Sequence, residues 1–317
     1  EKSIIRRVIM HSNGPGGQPH TLSQRQQQFN ELLHYLSVPS TLPPPEKLAI
    51  LRSKTPTELL KAASQMKLHQ FRATTDGNFI PSTLFQSINT GDFAQRMLDR
   101  NITLITGECR DEHTLYARYY PPAANTRAAL SARLLADFTP SLVKVLMEFY
   151  SPDGELPRGC RDWGEAFGYV YTDVQVHLFK RGFVNAIAAH AGAAAAGGLV
   201  HRYRVEFRAK CVDRAYGPEM GVTHTSDMAL WFLGQGERLS EWEKGVARRA
   251  FVDLHGAFLR GEDVRSAWGT KGVREVRRLR PDGEVDVWED EMWDRGVELW
   301  KRMMKAGVTE MPDRAKL

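Results

Sequence analysis

Residues 101–112 read NITLITGECRDE, and this stretch decides the fold class. Its first half, Asn101 to Gly107, is a nearly unbroken run of apolar and β-branched side chains, which predicts a strand buried on both faces. Such strands occur in parallel sheets that helices cover on both sides. Beyond the strand lie several acids, the last of them Glu112. The stretch therefore predicts an α/β protein with titratable side chains at the carboxyl edge of its sheet.

Strand-like and helix-like segments alternate along the rest of the chain, with no internal repeat and no convincing interdomain linker. The other predicted strands are residues 4–10, which we expect to be buried, residues 200–207, which roughly alternate in polarity, and a hairpin over residues 273–288. Apolar residues at helical spacing predict helices over residues 22–36, 130–150, 172–189, 239–260 and 289–304. We therefore predict a single α/β domain over residues 1–317, with a central, mostly parallel sheet, helices on both faces and a helical C-terminal region.

The composition has an ordinary globular balance, with 317 residues of which 42% are hydrophobic and 26% charged. The formal charge is +5 and the pI is about 9.1, but acids are interspersed among the bases. A nucleic-acid-binding surface more often collects its cations on one face without such compensation. No apolar run reaches the length of a membrane span. We therefore expect no nucleic-acid partner and no membrane span.

Three cysteines, Cys109, Cys160 and Cys211, are widely spaced and form no metal-ligand pattern such as CxxC. Since an odd number cannot all pair within the chain, we predict free thiols, with a single bridge as the alternative in a secreted protein. The small number of cysteines slightly favours a cytoplasmic location. We expect no metal and no cofactor.

A histidine, like Glu112, follows a predicted strand of the sheet. Residues 221–232 read GVTHTSDMALWF and follow the strand at 200–207 after a loop. Loops at the carboxyl ends of parallel strands converge on one crevice, so His224 and Glu112 can form a pair there. The carboxylate would accept the imidazole N–H, fix its tautomer and stabilise the imidazolium. From the residues alone, a structural histidine and a solvated glutamate are the alternative.

Several motifs, in order and spacing, resemble the type B carboxylesterase/cholinesterase family of α/β-hydrolases. The matching segments are TDGNFIP (75–81), GDF (91–93), ITLITGECRDE (102–112) and GVTHTSD (221–227), and the similarity runs from about Ile5 to the last helix. The resemblance implies the α/β-hydrolase fold, a small-molecule carboxylic ester as substrate, and a serine-hydrolase mechanism with an acyl-enzyme. It also implies that Glu112 is the acid and His224 the base of the catalytic triad.

The sequence departs from the family's pattern in three ways. Thr225 stands where a glycine usually follows the histidine, and Asp227 stands where a glutamate is usual. No serine has the G-x-S-x-G context of the nucleophile elbow. Residues 4–12, IIRRVIMHS, resemble the strand that follows the elbow helix, so we expect the chain to begin downstream of the nucleophile. Its partner would then be the missing N-terminal part of the same fold, and the chain alone would be inactive on esters and prone to aggregate.

Three alternative interpretations remain open at this point. Non-catalytic members of the family keep the fold as a binding or interaction module, and an intact G-x-S-x-G upstream would distinguish an enzyme from such a module. A metal site formed by His224 with Asp227 or His113 is the second. The third concerns the apolar residues after His224, which line an acyl pocket or simply pack in the core; they are Met228, Leu230, Trp231 and Phe232.

Overall fold

A five-stranded sheet organises the structure, a computed structural model in which residues 4–17, 19–67, 71–119, 121–233 and 238–307 are described. The strands lie side by side in chain order: β1 (Arg7–His11), β2 (Thr103–Cys109), β3 (Val200–Val205), β4 (Glu275–Leu279) and β5 (Val285–Glu289). Strands β1 to β4 run parallel, and β5 returns antiparallel to β4. The predicted α/β class, the mostly parallel sheet and the final hairpin are confirmed.

Helices connect the strands, and many of them begin at local sequence signals. Thr21 and Thr55 cap the first and third helices through reciprocal bonds with Gln24 and Glu58. No described helix is both long and apolar enough to cross a bilayer. The helices are α1 (Leu22–Tyr35), α2 (Pro44–Ser53), α3 (Pro56–Gln65), α4 (Leu84–Thr90), α5 (Asp92–Asp99), α6 (His113–Tyr116), α7 (Arg127–Leu135), α8 (Pro140–Tyr150), α9 (Trp163–Gln175), α10 (Leu178–Ala191), α11 (Ala193–Leu199), α12 (Met228–Phe232), α13 (Glu241–Ala247), α14 (Asp253–Arg260), α15 (Arg265–Trp268) and α16 (Trp293–Lys305).

Apolar side chains cover the sheet on both faces. On one face Leu104 and Val200 pack with residues of α7 to α10 and α16. On the other face Ile105 and Tyr203 pack with residues of α12, α13 and α14. Since successive residues of a strand point to opposite faces, the neighbours Leu104 and Ile105 belong to different clusters. The predicted burial of β2 on both faces and the helices on both sides of the sheet are confirmed.

Two of the predicted helices are interrupted. The helix predicted over residues 130–150 is wrong as one element, because Pro140 lacks an N–H and begins a new helix, α8. The helix predicted over residues 172–189 divides at His177, whose Nε2 lies 3.2 Å from the carbonyl oxygen of Cys109 at the end of β2. That break is set by a tertiary contact that helical periodicity does not reveal.

The last two predicted helices also differ from the structure. The helix over residues 239–260 consists of α13 and α14, joined by a π-helical turn at Arg248–Val252. The sequence predicts that the final helix begins at Glu289, but Glu289 pairs with Glu275 in the hairpin, and α16 begins at Trp293. In both cases the spacing of apolar residues predicts a helix but does not show where the backbone hydrogen-bonding pattern changes.

Two strand predictions are corrected as well. Strand β1 is not buried but half-buried at the edge of the sheet, and Ile4 and Ile5 before it are 99% and 58% exposed. Strand β3 does not alternate in burial, since all six of its residues are buried. Its arginines, Arg202 and Arg204, lie inside because they form ion pairs with buried acids.

Candidate active site

The predicted acid, Glu112, lies in the turn between β2 and α6 with its side chain fully buried. Its Oε1 atom accepts a hydrogen bond of 2.7 Å from the backbone N–H of Cys109, the last residue of β2. This bond folds the carboxylate back onto the strand end. One carboxylate oxygen is therefore held by the backbone, and the other, Oε2, is aimed at a second loop.

His224 reaches Oε2 from that second loop. Its Nδ1 atom lies 2.5 Å from Glu112 Oε2, although the two residues are 112 positions apart in the chain. Because an ionised carboxylate only accepts hydrogen bonds, the proton belongs on Nδ1, and Nε2 carries the free lone pair. The imidazole is 23% exposed, whereas the Glu112 side chain is 0% exposed. The structure thus brings the two predicted site residues together in the geometry of an orienting acid and a base.

The electrostatics of the pair favour a basic imidazole. Burial by itself lowers the pKa of His224, but the hydrogen bond and negative charge of Glu112 outweigh it and raise that pKa above the ordinary value of 6.5. Asp227 adds to the increase in the same direction. An imidazole with a raised pKa is a stronger proton acceptor, at the cost of being charged over more of the neutral pH range.

The two loops are fastened to each other by two hydrogen bonds between Asp111 and Val222, one to a backbone carbonyl and one to the Asp111 carboxylate. The N–H of Asp111 donates to the carbonyl of Val222 at 2.9 Å, and the N–H of Val222 donates to Asp111 Oδ2 at 2.8 Å. Gly221 makes this approach possible: its φ is +59°, and a Cβ atom there would lie 2.2 Å from Asp111 Oδ2. Steric crowding therefore explains why a glycine stands three residues before His224.

The two departures from the family's pattern beside His224 have different structural consequences. Thr225 keeps a left-handed backbone, with φ of +70°, which suits glycine and is unfavourable for a β-branched residue. Asp227 is buried and accepts hydrogen bonds from Trp231 Nε1 at 3.1 Å and from the Tyr203 hydroxyl at 3.4 Å. Burial, with the nearby charge of Glu112, raises the pKa of Asp227 to about 6. The first departure strains the loop, while the second anchors it to β3.

Sequence reasoning missed Tyr116. It lies on α6 four residues after Glu112, and its hydroxyl is 3.4 Å from His224 Nε2. Burial, followed by the charge of Glu112, raises the pKa of Tyr116 far above its usual range, so the phenol stays protonated and donates to the imidazole lone pair. The four-residue spacing of Glu112 and Tyr116 could have indicated their proximity, because residues four apart on a helix share a face. Among the described residues no serine hydroxyl bonds to Nε2.

The apolar residues after His224 divide into two groups. Leu230 and Trp231 are buried, and the Trp231 ring stacks on Phe251 at 4.6 Å between centroids. Met228 and Phe232 are 38% and 49% exposed. Leu230 and Trp231 are thus core residues, and only Met228 and Phe232 present apolar surface.

Two further groups of side chains are those that could bind a metal ion and the three cysteines. In the described part of the chain, no three His, Cys, Asp or Glu side chains are placed to hold a metal ion. The cysteines are free thiols, and Cys109 is buried beneath the site with its sulfur 3.7 Å from the Ser226 hydroxyl.

Comparisons with known proteins agree on the fold and name esterases among the relatives. The chain is 41% identical over 308 residues to a carboxylic ester hydrolase of Gibberella moniliformis, covering 95% of this chain and 55% of that protein. It is 32% identical over 312 residues to an uncharacterized esterase/lipase of Schizosaccharomyces pombe, covering 96% of this chain and 55% of that protein. The chain thus spans about half the length of both curated relatives. No protein-family model matches.

Among solved structures, the chain resembles EstA of Aspergillus niger with a TM-score of 0.64. The sequence identity is 16%, and the match covers 95% of this chain and 59% of EstA. At this identity the likeness concerns the fold alone, and it confirms the predicted α/β-hydrolase class of the sheet and its helices.

Proposed function

We propose that the complete protein containing this chain is a serine-dependent carboxylic ester hydrolase of the type B carboxylesterase class, in which His224 is the general base and Glu112 orients it. The observation that carries the proposal is the 2.5 Å contact between His224 Nδ1 and Glu112 Oε2, which leaves Nε2 as the proton acceptor on a partly exposed imidazole. The esterase names of the two relatives support the same reaction class.

The chemistry divides between this chain and the rest of the protein. Nε2 of His224 would take the proton of a serine hydroxyl while that oxygen attacks the ester carbonyl carbon. The imidazolium, stabilised by Glu112, would then give this proton to the departing alcohol, which leaves an acyl-enzyme. Water would hydrolyse the acyl-enzyme by the same proton transfers in reverse. The nucleophile and the oxyanion hole belong, in this proposal, to the N-terminal part of the same fold.

The proposal is tested by labelling the complete protein with a fluorophosphonate, which reacts with activated serines. We expect labelling of the natural protein and its loss in His224→Ala, since the serine would no longer have a base. His34→Ala is a matched control, because His34 is exposed on α1. Equal labelling of all three proteins would contradict the role of His224. Absence of labelling in the natural protein would favour a non-catalytic binding module.

The 317-residue chain alone should not hydrolyse p-nitrophenyl esters, because Glu112 and His224 without a nucleophile have no hydroxyl to activate. It should also aggregate, since within the described residues β1 pairs with β2 alone and is preceded by the exposed Ile4 and Ile5. Rapid ester hydrolysis by this chain would show that the nucleophile lies within it.

A further inference from the structure

A long connection, residues 206–223, joins β3 to His224. Its regular structure consists of two short 3₁₀ turns, Lys210–Arg214 and Pro218–Met220. Such turns have poorer hydrogen-bond geometry than an α-helix. A general base must nevertheless be held close to its productive position, because small displacements cost much of the rate. The connection therefore depends on side chains to fix its path.

Arg208 provides such support from near the start of the connection. Its Nη2 atom donates to the carbonyls of Tyr216 at 2.8 Å and Gly217 at 3.3 Å, and its Nη1 atom donates to the carbonyl of Gly221. Asp213 Oδ1 accepts from Nε at 3.1 Å and from Nη2 at 2.8 Å, which fixes the orientation of the guanidinium. The Arg208 side chain is 19% exposed. One partly buried guanidinium thus joins four residues of the connection.

The contact with Gly221 bears most directly on His224, because it completes the support of one peptide unit. The Gly221 carbonyl accepts from Arg208. The N–H of the next residue, Val222, donates to Asp111 Oδ2 at 2.8 Å, on the loop of the candidate acid. The Gly221–Val222 peptide is therefore held at its oxygen and at its nitrogen, two residues before the candidate base.

Resting on the ester hydrolysis proposed above, we propose that Arg208 is a positioning residue, which holds His224 against Glu112 by way of the Gly221 carbonyl. It acts on the reaction through the backbone and not through contact with the ester. The guanidinium reaches Asp213 and three carbonyls at once because its five N–H donors form a fixed, planar fork. The ammonium of a lysine has the same charge but does not reproduce this fork.

Arg277 offers a matched control elsewhere in the fold. It lies on β4, and its guanidinium also donates to four backbone carbonyls, those of Arg249, Ala250, Ala267 and Trp268. These carbonyls lie outside the connection. Arg277→Met therefore removes the same number of donors and the same charge as Arg208→Met, without touching the segment that leads to His224.

The first experiment measures hydrolysis of a p-nitrophenyl ester by the complete protein. Arg208→Met should lower kcat/KM about 10-fold or more, mainly through kcat, because proton transfer depends on where Nε2 of His224 lies. Arg208→Lys should keep part of the activity that Arg208→Met loses, and Arg277→Met should leave kcat/KM unchanged. Unchanged kcat/KM in Arg208→Met overturns the proposal. Equal losses in the two methionine variants also overturn it, since general loosening of the fold would then explain both.

The pH profile distinguishes a displaced imidazole from a lost charge. The hydrogen bond and charge of Glu112 raise the pKa of His224, so an imidazole that moves away from Glu112 has a lower pKa. Loss of the Arg208 cation alone would raise that pKa, since a positive charge disfavours the imidazolium. Arg208→Met should therefore move the rising limb of kcat/KM to lower pH. A limb that stays in place or moves to higher pH overturns the proposal.

A titration of the imidazole separates this inference from the proposed reaction. NMR titration of His224 in the complete protein, with its signal assigned from His224→Gln, requires no nucleophile. If the natural protein hydrolyses no ester, the proposed function fails, and the titration then decides on Arg208 alone. A lower pKa of His224 in Arg208→Met supports the positioning role, and an equal or higher pKa overturns it. If Arg208→Met does not fold, Arg208→Lys decides by the same criterion.

Discussion

Two buried glutamates at the end of β2 lie four residues apart and have opposite surroundings. Glu108 accepts from Lys180 at 2.8 Å, Arg181 at 2.9 Å and Arg204 at 2.7 Å, and its side chain is 2% exposed. Glu112 accepts only from the Cys109 backbone and from His224 in the contacts described above. The first glutamate has an excess of cations around it, two of them arginines, whereas the second faces a single imidazole that loses its charge near neutrality.

The comparison explains why one carboxylate is structural and the other suits catalysis. Burial alone would raise the pKa of Glu108, but the charges of Arg181 and Lys180 hold it well below 4.5, so its ion pairs stay fixed at neutral pH. Asp290 extends this network by pairing with Arg181 and Arg202. The pair of Glu112 with His224 instead changes its charge near neutrality, because the pKa of an imidazole lies there.

Replacing the carboxylate of Glu112 should have the largest effect of the changes considered. In the complete protein, Glu112→Gln should lower kcat/KM for a p-nitrophenyl ester on the order of 10⁴-fold, since a neutral amide neither fixes the tautomer nor stabilises the imidazolium. Glu219→Gln is the control, because Glu219 is 56% exposed in a surface ion pair with Arg118. A loss below about 10-fold would contradict the orienting role.

The same variant should change the pH profile of the remaining activity. Activity requires neutral His224, so in the natural protein it should rise with pH through a pKa above 6.5. Without the charge of Glu112, burial dominates and lowers that pKa, so the rising limb of kcat/KM should move to lower pH. A limb that stays in place would show that Glu112 does not control the protonation of His224.

Glu108→Gln should affect stability where Glu112→Gln affects rate. Removing this charge leaves the cations of Lys180, Arg181 and Arg204 in a buried site, which should lower the free energy of unfolding by about 3–5 kcal/mol. Urea unfolding of the complete protein measures this loss, with the exposed pair member Glu298→Gln as control.

The pH dependence of that loss has a definite sign. The folded-state pKa of Glu108 lies below its ordinary value of 4.5, so its stabilisation is present above pH 4.5 and disappears as the pH falls through the folded value. The stability difference between natural protein and variant should therefore shrink in acid. A difference that persists unchanged would contradict the ion-pair explanation.

Gly221→Ala tests whether the loop that carries Glu112 and the loop that carries His224 must be held together. The added Cβ would lie 2.2 Å from Asp111 Oδ2, at a φ of +59°, so either the Asp111 carboxylate leaves the Val222 N–H or the loop shifts, and both changes loosen the loop that holds His224. A displacement of this kind costs on the order of 10²-fold in kcat/KM. Gly272→Ala is the control, because a Cβ there meets nothing within 4 Å. Equal activity of the two variants would show that the fastening is not needed.

Part of the contrast between Glu108 and Glu112 could be predicted from the sequence. The part that could not depends on residues far apart in the chain. The burial of β2 and the positions of Glu112 and His224 follow from a local apolar run and a family-like motif. The buried arginines of β3 did not follow, since Arg202 is satisfied by Asp290, 88 residues away. The break before α10 is likewise set by the contact of His177 with Cys109. Local patterns predict elements, whereas partners brought together by the fold decide which charges are buried.

The smallest effect concerns the strain in the base loop. Thr225 has φ of +70°, and a left-handed backbone costs an L-residue roughly 1–2 kcal/mol. Thr225→Gly removes that cost, but it adds freedom to the unfolded chain and loses the 3.3 Å contact between Thr225 Oγ1 and the Tyr216 hydroxyl. We expect a net gain of about 0.5–1 kcal/mol in the free energy of unfolding, measured by urea denaturation, with activity unchanged.

Thr225→Ala separates the contributions of the strain and of the hydroxyl, because it loses the hydroxyl and keeps the strained backbone. If Thr225→Gly is no more stable than Thr225→Ala, the loop is not strained at this residue, and the departure from glycine carries no cost.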